Sequence, residues 1–432
     1  LTQKTVSFHT LGCKLNQAET DALRTAFIER GWTVVPFKQA ADVTVINSCT
    51  VTNQADRKTR SAIYQAVKAS PQGKIAVIGC LPQVAADSIS HIEGVDLILG
   101  NRDKFRILEF LEELPPDSES PFICVSDESQ DIYPKNIFIS STGNRNRAFV
   151  KIQEGCANYC TFCVIPYARG KPVSRSFYDA IEETRKLVTE HYYKEIVLTG
   201  IDIGAYRDGS HDLLDLIQAL ERIDGLLRIR ISSIEMNTLT DALIDHIAAS
   251  RITAPHFHLS LQAGSDPILK AMNRKYTCHE FVEKVAYIRE KIPLASIGTD
   301  IITGFPGETE SLFQETYRFI EALQFSYLHI FRFSSKKGTP AAVMKNQVSE
   351  NEKIRRSRIL RSLNKRLRFL YASRFQGKTV RVLWESENEK GAKGFNEYYI
   401  QTLTGTHQAT LNEMNDVNID SVDGDILRGH IL

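Results

Sequence analysis

Hydrophobic positions in the first hundred residues fall into short β-branched runs, at residues 6–8, 43–46, 75–78 and 95–99, separated by stretches of helical periodicity. Short apolar runs alternating with helical patterns predict an open, mostly parallel α/β sheet. The same rhythm restarts near residue 148 and repeats six times, with strand candidates at 149–152, 196–198, 227–231, 257–261, 297–302 and 327–333. Six such units predict a partial (βα)6 barrel whose active site lies at the carboxyl ends of its strands. Beyond residue 375 the pattern changes to short strands and turns, as at 379–383 and 398–400, which predicts a small β-barrel.

The expected organisation is therefore α/β throughout its larger part. An N-terminal open parallel domain spans 1–116, and a linker rich in Ser, Pro, Asp and Asn spans 117–147. A partial barrel at 148–350, a connecting helix at 351–374 and a terminal β-barrel at 375–432 complete the chain. Composition agrees with several folded cores: 42% of the 432 residues are hydrophobic and 24% charged, close to ordinary globular usage. No charged-then-apolar leader and no run of eighteen apolar residues is found, so a cytoplasmic location without a membrane span is expected.

A formal net charge of +1 conceals an asymmetry. Between Asn351 and Arg381 stand eleven basic residues and one acid, Glu352. In the connecting helix, Ile359 or Leu360, Leu363, Leu367 and Leu370 form an apolar stripe that docks on the barrel and leaves charge outward. Such density on one element suits either a solvated face or a polyanion, because Lys and Arg contacts to phosphates release condensed counterions.

Eight cysteines are few for a disulfide framework in a cytosolic chain of this size, so their placement matters more than their number. Cys13, Cys49 and Cys80 each fall at or just past the carboxyl end of one of the first three predicted strands, one edge of a parallel sheet. Three thiols at equivalent positions suggest metal, although free cysteine is also a common core residue. Cys124 and Cys278 have no such partners. The denser signal is Cys156-Ala-Asn-Tyr-Cys160-Thr-Phe-Cys163, directly after the first barrel strand. A four-iron cubane normally takes four thiolates; three leave one iron open to a ligand such as the amino and carboxylate groups of S-adenosylmethionine. Structural zinc, which requires four closed ligands, is the alternative, and no fourth ligand lies nearby in sequence.

The Cys-x3-Cys-x2-Cys loop, with Glu154-Gly155-Cys156 before it and Ile165 to Gly170 after it, resembles the radical S-adenosylmethionine methylthiotransferase family. Leu11 to Gln17, Val45 to Thr52, Gly79-Cys80, His258 to Ser265 and Thr299 to Thr309 resemble the family's other motifs, so the likeness covers essentially the whole chain. The resemblance implies two 4Fe-4S clusters, one radical-generating at Cys156, Cys160 and Cys163 and one auxiliary at Cys13, Cys49 and Cys80. It further implies S-adenosyl-L-methionine as cofactor and a TRAM-like terminal barrel that binds RNA. Lys151 to Cys156, Asn53 to Lys58 and Arg230 to Glu235 look most like the branch acting on N6-threonylcarbamoyladenosine beside the anticodon of transfer RNA. The branches acting on isopentenyladenosine or on a ribosomal aspartate are the runners-up, and a non-catalytic metal-stabilised RNA-binding protein is the rival of another class.

For the cofactor, Gly200, Ser233, Glu235 and Gln262 are the candidates, each at or just past a strand end, and Asp300 is left to substrate or cofactor. Arg355, Arg358, Lys365 and Arg366 are phosphate candidates. Phe395, Tyr398 and Tyr399 are candidates for stacking on unpaired bases. Expected partners are the transfer RNA anticodon stem-loop, a reductase or flavodoxin-type electron donor and a sulfur donor, with no DNA, acting on a monomer.

Overall fold

The computed structural model describes residues 3–115, 120–126, 146–389, 391–406 and 409–432. Strands β1 (Thr5–Thr10), β2 (Thr33–Val35), β3 (Val43–Ser48), β4 (Lys74–Gly79), β5 (Leu97–Leu99) and β6 (Phe122–Cys124) form one sheet in the order β2-β1-β3-β4-β5-β6. Every pairing in it is parallel. All six residues of β3 are buried, as a central parallel strand covered on both faces requires. Strand β6 carries the sheet past the boundary expected at 116. The expected linker otherwise lies largely outside the described residues, at 117–119 and 127–145.

The central region has the six expected strands: Arg147–Lys151, Glu195–Thr199, Arg228–Ile231, His256–Gln262, Ser296–Thr303 and Tyr327–Arg332. The first three form one parallel sheet, and the last three a second that also includes Ser233–Ile234. A bridge between Ile229 and Thr253 and packing within one hydrophobic core hold the halves together. Helix α1 (Lys14–Glu29) lies along the first barrel strand, and its Ala18 and Ala22 join the central core. The N-terminal domain thus packs along the first-strand side of the incomplete barrel.

The helix Glu350–Ser373 covers the sixth strand, where the Asn364 amide brackets Leu328, accepting from its N–H at 2.8 Å and donating to its carbonyl at 3.1 Å. Leu360, Leu363, Leu367 and Tyr371 make its buried face. Leu370, expected in that stripe, is 49% exposed, because the i+4 row running from Leu363 and Leu367 continues to 371. No helix among the described residues is long and apolar enough to cross a membrane.

The last five strands, Thr379–Asn388, Gly391–Asn396, Gln401–Leu403, Met414–Asp423 and Ile426–Ile431, close into a barrel around Val380, Val382, Trp384 and Val417. The strand expected at 398–400 is instead a turn. Asn396 Oδ1 accepts from the backbone N–H of both Tyr398 and Ile400 at 3.0 Å, and Tyr399 takes φ +62°. This barrel docks on the amino ends of the central strands. Arg228 donates to the Arg381 carbonyl at 2.5 Å, and Arg230 to those of Glu397 and Asn396, both at 3.1 Å.

Candidate active site

Parallel strands deliver their carboxyl ends to one edge, and β1, β3 and β4 are immediate neighbours. Cys13 caps α1 just beyond β1, Cys49 follows β3, and Cys80 opens the short helix after β4. Gly12, at φ +107°, leaves the space between them: a Cβ there would stand 2.7 Å from Cys49 Cβ and 3.1 Å from its Sγ. Polar neighbours reach two of the sulfurs, with Asn16 Oδ1 3.6 Å from Cys13 and Asn101 Nδ2 donating to Cys80 at 3.6 Å. Burial pushes the Cys49 thiol up to about 12, and the nearby Cys80 and Cys13 push the same way. Thiols so placed ionise only with a cation beside them.

The second trio lies on the loop after the first barrel strand. Gly155, at φ +71°, starts it where a Cβ would meet the Lys171 carbonyl at 2.0 Å. Each sulfur accepts a hydrogen bond: Cys156 from Asn158 N at 3.4 Å, Cys163 from Ile165 N at 3.4 Å and Cys160 from Arg274 Nη1 at 3.3 Å. Donors aimed at sulfur stabilise thiolates and tune a cluster bound to them. Burial raises Cys156 to about 11 and Cys163 to about 12. The loop is clamped by the end of the short helix Asp266–Ala271 that follows the fourth strand, where Thr161 Oγ1 donates to the Ala271 carbonyl at 2.9 Å and Asn273 Nδ2 to that of Tyr159 at 3.0 Å.

Neither trio is gathered tightly enough for a single ion. Among the described residues, the ligand atoms of His258, Asp300 and His329 are the three found within 4.8 Å of one another. A lone zinc would hold its thiolates about 3.8 Å apart. A cubane presents a different iron to each thiolate and suits the wider spacing.

Around the same lumen stand the other candidates. Glu235 pairs with Arg274, which also donates to the Ser260 carbonyl at 2.7 Å. Burial raises the Glu235 carboxyl and Arg274 opposes it. Gln262 ends the fourth strand at φ +74°, a costly conformation for a residue with a side chain, and Ser233 is exposed. Gly200 makes its close approach to Gln153, whose Oε1 accepts from the N–H of Ile201 and Asp202 at 2.9 and 2.8 Å. Asp300 Oδ1 receives His258 Nε2 at 3.1 Å and His329 Nδ1 at 3.3 Å, and Tyr327 OH joins His258 Nδ1 to His256 Nε2 at 3.0 and 2.8 Å. Burial works against the Asp300 charge, but His258 and His329 hold the carboxyl below the usual carboxylate range. Arg274, His256 and His329 have no periodicity or cysteine-like spacing to mark them in sequence, whereas Lys14 is marked by its place next to Cys13.

The expected RNA contacts divide. Arg358 and Lys365 are exposed without an ion-pair partner among the described residues. Arg355 pairs with Glu310 and Glu352, and Arg366 with Glu321. Tyr398 packs on Phe375 at 4.7 Å, and Phe395 and Tyr399 stack on each other at 5.0 Å. These three rings therefore lie against protein, at the junction of the terminal barrel and the central lumen.

A buried ion cluster links the trios. Glu19 of α1 contacts Lys104, Lys151 and Arg169 at 2.7, 2.9 and 2.8 Å; Glu154 contacts Lys151 and Arg169 at 2.5 and 2.6 Å. Three cations face two carboxylates, and the Arg169 charge also acts on Cys13 and Cys80.

Residues 150–320 match the radical SAM superfamily, and residues 5–100 match the uncharacterized protein family UPF0004. The radical S-adenosylmethionine methyltransferase TsrM of Kitasatospora setae superposes with a TM-score of 0.56 at 15% identity, covering 79% of this chain and 75% of that one, a likeness of fold. The chain is 40% identical to threonylcarbamoyladenosine tRNA methylthiotransferase MtaB of Bacillus subtilis, covering 92% of this chain and 90% of that one. It is 41% identical to the MtaB of Aquifex aeolicus, over 89% and 93%. A tRNA-2-methylthio-N(6)-dimethylallyladenosine synthase of Thermodesulfovibrio yellowstonii is 33% identical, over 90% and 89%. With this coverage by relatives above 30% identity, the chain belongs to the tRNA methylthiotransferase family of radical S-adenosylmethionine enzymes.

Proposed function

We propose that the protein inserts a methylthio group at carbon 2 of N6-threonylcarbamoyladenosine at position 37 of transfer RNA, next to the anticodon. The observation that carries this reading is the pair of cysteine trios, one on each of the two segments that the Glu19–Arg169 contact joins. A second three-thiol set gives such an enzyme a place to present sulfur apart from the site that makes the radical. In this reading Cys156, Cys160 and Cys163 hold the radical-generating 4Fe-4S cluster, and Cys13, Cys49 and Cys80 hold the auxiliary one. When bound, these groups and S-adenosylmethionine supply one-electron cleavage to a 5′-deoxyadenosyl radical and a source of sulfur.

The chain's own residues hold and orient. Glu235, Ser233 and Gln262 stand at strand ends beside the Cys160 loop, where polar groups of S-adenosylmethionine would lie. Arg274 fixes Glu235 and Cys160 together. The Asn158 amide, 3.3 Å from Asp202, positions the middle of the loop. The outer face of the helix Glu350–Ser373 would meet phosphates through Arg358 and Lys365. The division into an N-terminal auxiliary-cluster domain, a central radical domain and a terminal RNA-binding barrel follows from these assignments, with an electron donor and a sulfur donor as transient partners.

Nucleoside mass spectrometry of transfer RNA from a deletion strain tests the reading. Loss of the methylthio-threonylcarbamoyl nucleoside alone is expected, and loss of the dimethylallyl analogue instead would overturn it. In reconstituted enzyme, Cys160→Ala abolishes 5′-deoxyadenosine, whereas Cys80→Ala keeps it and stops sulfur insertion.

A further inference from the structure

The lumen floor carries more positive charge than its own carboxylates neutralise. Arg147 pairs with Glu385 at 2.8 Å, and Arg228 and Arg230 share Glu195 at 3.0 and 2.9 Å. The half-buried Glu397 accepts from Arg381 N at 2.9 Å and faces Arg228. Lys14 is left over. It stands within reach of Arg147 and Arg230, its Nζ lies 5.8 Å from the Tyr399 ring centroid, and it makes no hydrogen bond or ion pair among the described residues. Arg147 and Arg230 approach the same ring at 5.6 and 4.9 Å. Beside that ring, the buried His256 also leaves its Nδ1 without a partner. A half-buried ammonium set among arginines without an ion-pair partner is costly, and a fold keeps one where a ligand supplies the missing anion.

We infer that Lys14 is the residue that holds the carboxylate of the threonylcarbamoyl substituent and so selects this nucleoside. The inference rests on the substrate reading above and adds to it a specificity-determining contact. Two facts give the geometry. Lys14 directly follows Cys13, so its side chain starts at the auxiliary trio and ends with its ammonium 5.8 Å from the Tyr399 ring centroid, and a group held there lies on the path between the floor and the trio. Carbon 2 and the N6 substituent of adenine share one edge of the base, so anchoring the substituent there turns carbon 2 toward the same trio. The three carboxylates of the floor are already committed to arginines or a backbone N–H, which leaves Lys14 free to discriminate. An apolar N6 substituent would bury Lys14 with nothing to neutralise it, which disfavours that competitor as well as favouring the acid. The partly exposed side chain of Lys14 keeps the site open to solvent until substrate arrives.

The test is fluorescence anisotropy of the reconstituted holoenzyme with a labelled anticodon stem-loop bearing threonylcarbamoyladenosine, compared with the same stem-loop carrying its methyl ester. Wild type is expected to bind the acid at least about tenfold tighter than the ester, the scale of a hydrogen bond to a charged group. Lys14→Gln should bring that ratio close to one, and Lys14→Arg should restore part of it. The ratio is taken within one preparation, so a loss of cluster that weakens both ligands equally leaves it intact. A wild-type ratio retained by Lys14→Gln, or a wild-type ratio near one, overturns the inference. In that case methylthiolation of the acid stem-loop, scored separately by mass spectrometry, still upholds the substrate reading. Wild-type enzyme that leaves the acid stem-loop unmodified but modifies a dimethylallyl one overturns both.

Discussion

The Arg169 guanidinium donates to Glu19 Oε1 at 2.8 Å, with side chains 1% and 0% exposed, and so joins the domain that carries Cys13 to the segment that follows Cys163. Arg169 Nη2 also donates to Asn16 Oδ1 at 2.7 Å, and Asn16 lies against Cys13. This charged side chain is thus one of the contacts that fix the two thiol trios relative to each other, beside the packing of α1 on the first barrel strand.

Replacing Arg169 with Met should therefore destabilise the protein strongly. It leaves Glu19 and Glu154 buried with two lysines between them, and breaking one partner out of a buried ion network costs about 3–5 kcal/mol. A urea titration should show the lowered midpoint. Hydrogen exchange should show the opening concentrated in α1.

On the proposed cluster assignment, Gly155→Ala should damage the site at Cys156, Cys160 and Cys163 without replacing a thiol. The added methyl meets the Lys171 carbonyl, and the left-handed conformation adds strain of about 1–3 kcal/mol. Expected are reduced iron content and reduced 5′-deoxyadenosine formation, with Cys80-dependent iron retained.

Arg274→Gln removes the donor to Cys160 and the partner of Glu235 together. Loss of a ligand's supporting hydrogen bond typically costs 10–100-fold in metal affinity or activity. S-adenosylmethionine cleavage should fall on about that scale, and the redox potential of the cluster proposed at Cys156, Cys160 and Cys163 should shift, which a purely structural defect would not produce.

Acid should release the terminal barrel. Burial opposes ionisation of Glu195, but Arg230, Arg228 and Arg147 hold its carboxyl at about 2 against an ordinary 4.5. A folded value below the unfolded one means the stabilisation is complete above pH 4.5 and drains away as pH falls from there toward 2. Exchange protection at residues 396–399, followed against pH, should fall in that window, and Glu195→Gln should remove the dependence.

Arg358, Arg361 and Lys365 share the outer face of the helix Glu350–Ser373, exposed and unpaired among the described residues. Changing all three to Ala should weaken transfer RNA binding and lower the slope of log affinity against log salt by about 2. Changing the already paired Arg355 and Arg366 should alter that slope less.

The two thiol trios and all six central strands were legible in the sequence because each rests on local pattern: a parallel strand ends in a loop, and Cys13, Cys49 and Cys80 follow three such ends. The lumen was not. Arg274 reaches Cys160 from beyond the helix Asp266–Ala271, and Lys14 meets Tyr399 from the far end of the chain. Neither contact leaves a trace in spacing. The aromatic run at 398–400 misled for a physical reason: Asn396 bonds two backbone N–H groups ahead of it, and that turn outcompetes strand propensity. The positive charge of the helix Glu350–Ser373 was read correctly in number but not in availability, since Glu308, Glu310 and Glu321 on neighbouring elements neutralise part of it.

Tyr399, carried by the terminal barrel, is a stopper at the bottom of a well whose chemistry sits at the rim. The appendage is therefore not an interchangeable handle for RNA. An enzyme cut before residue 375 would open a drain under the reacting base, letting solvent reach Arg228, Arg230 and His256 and quench a radical before it found its target. Swapping this module between relatives would change the leak rate of the reaction, and uncoupled 5′-deoxyadenosine would be the sign of a poor fit.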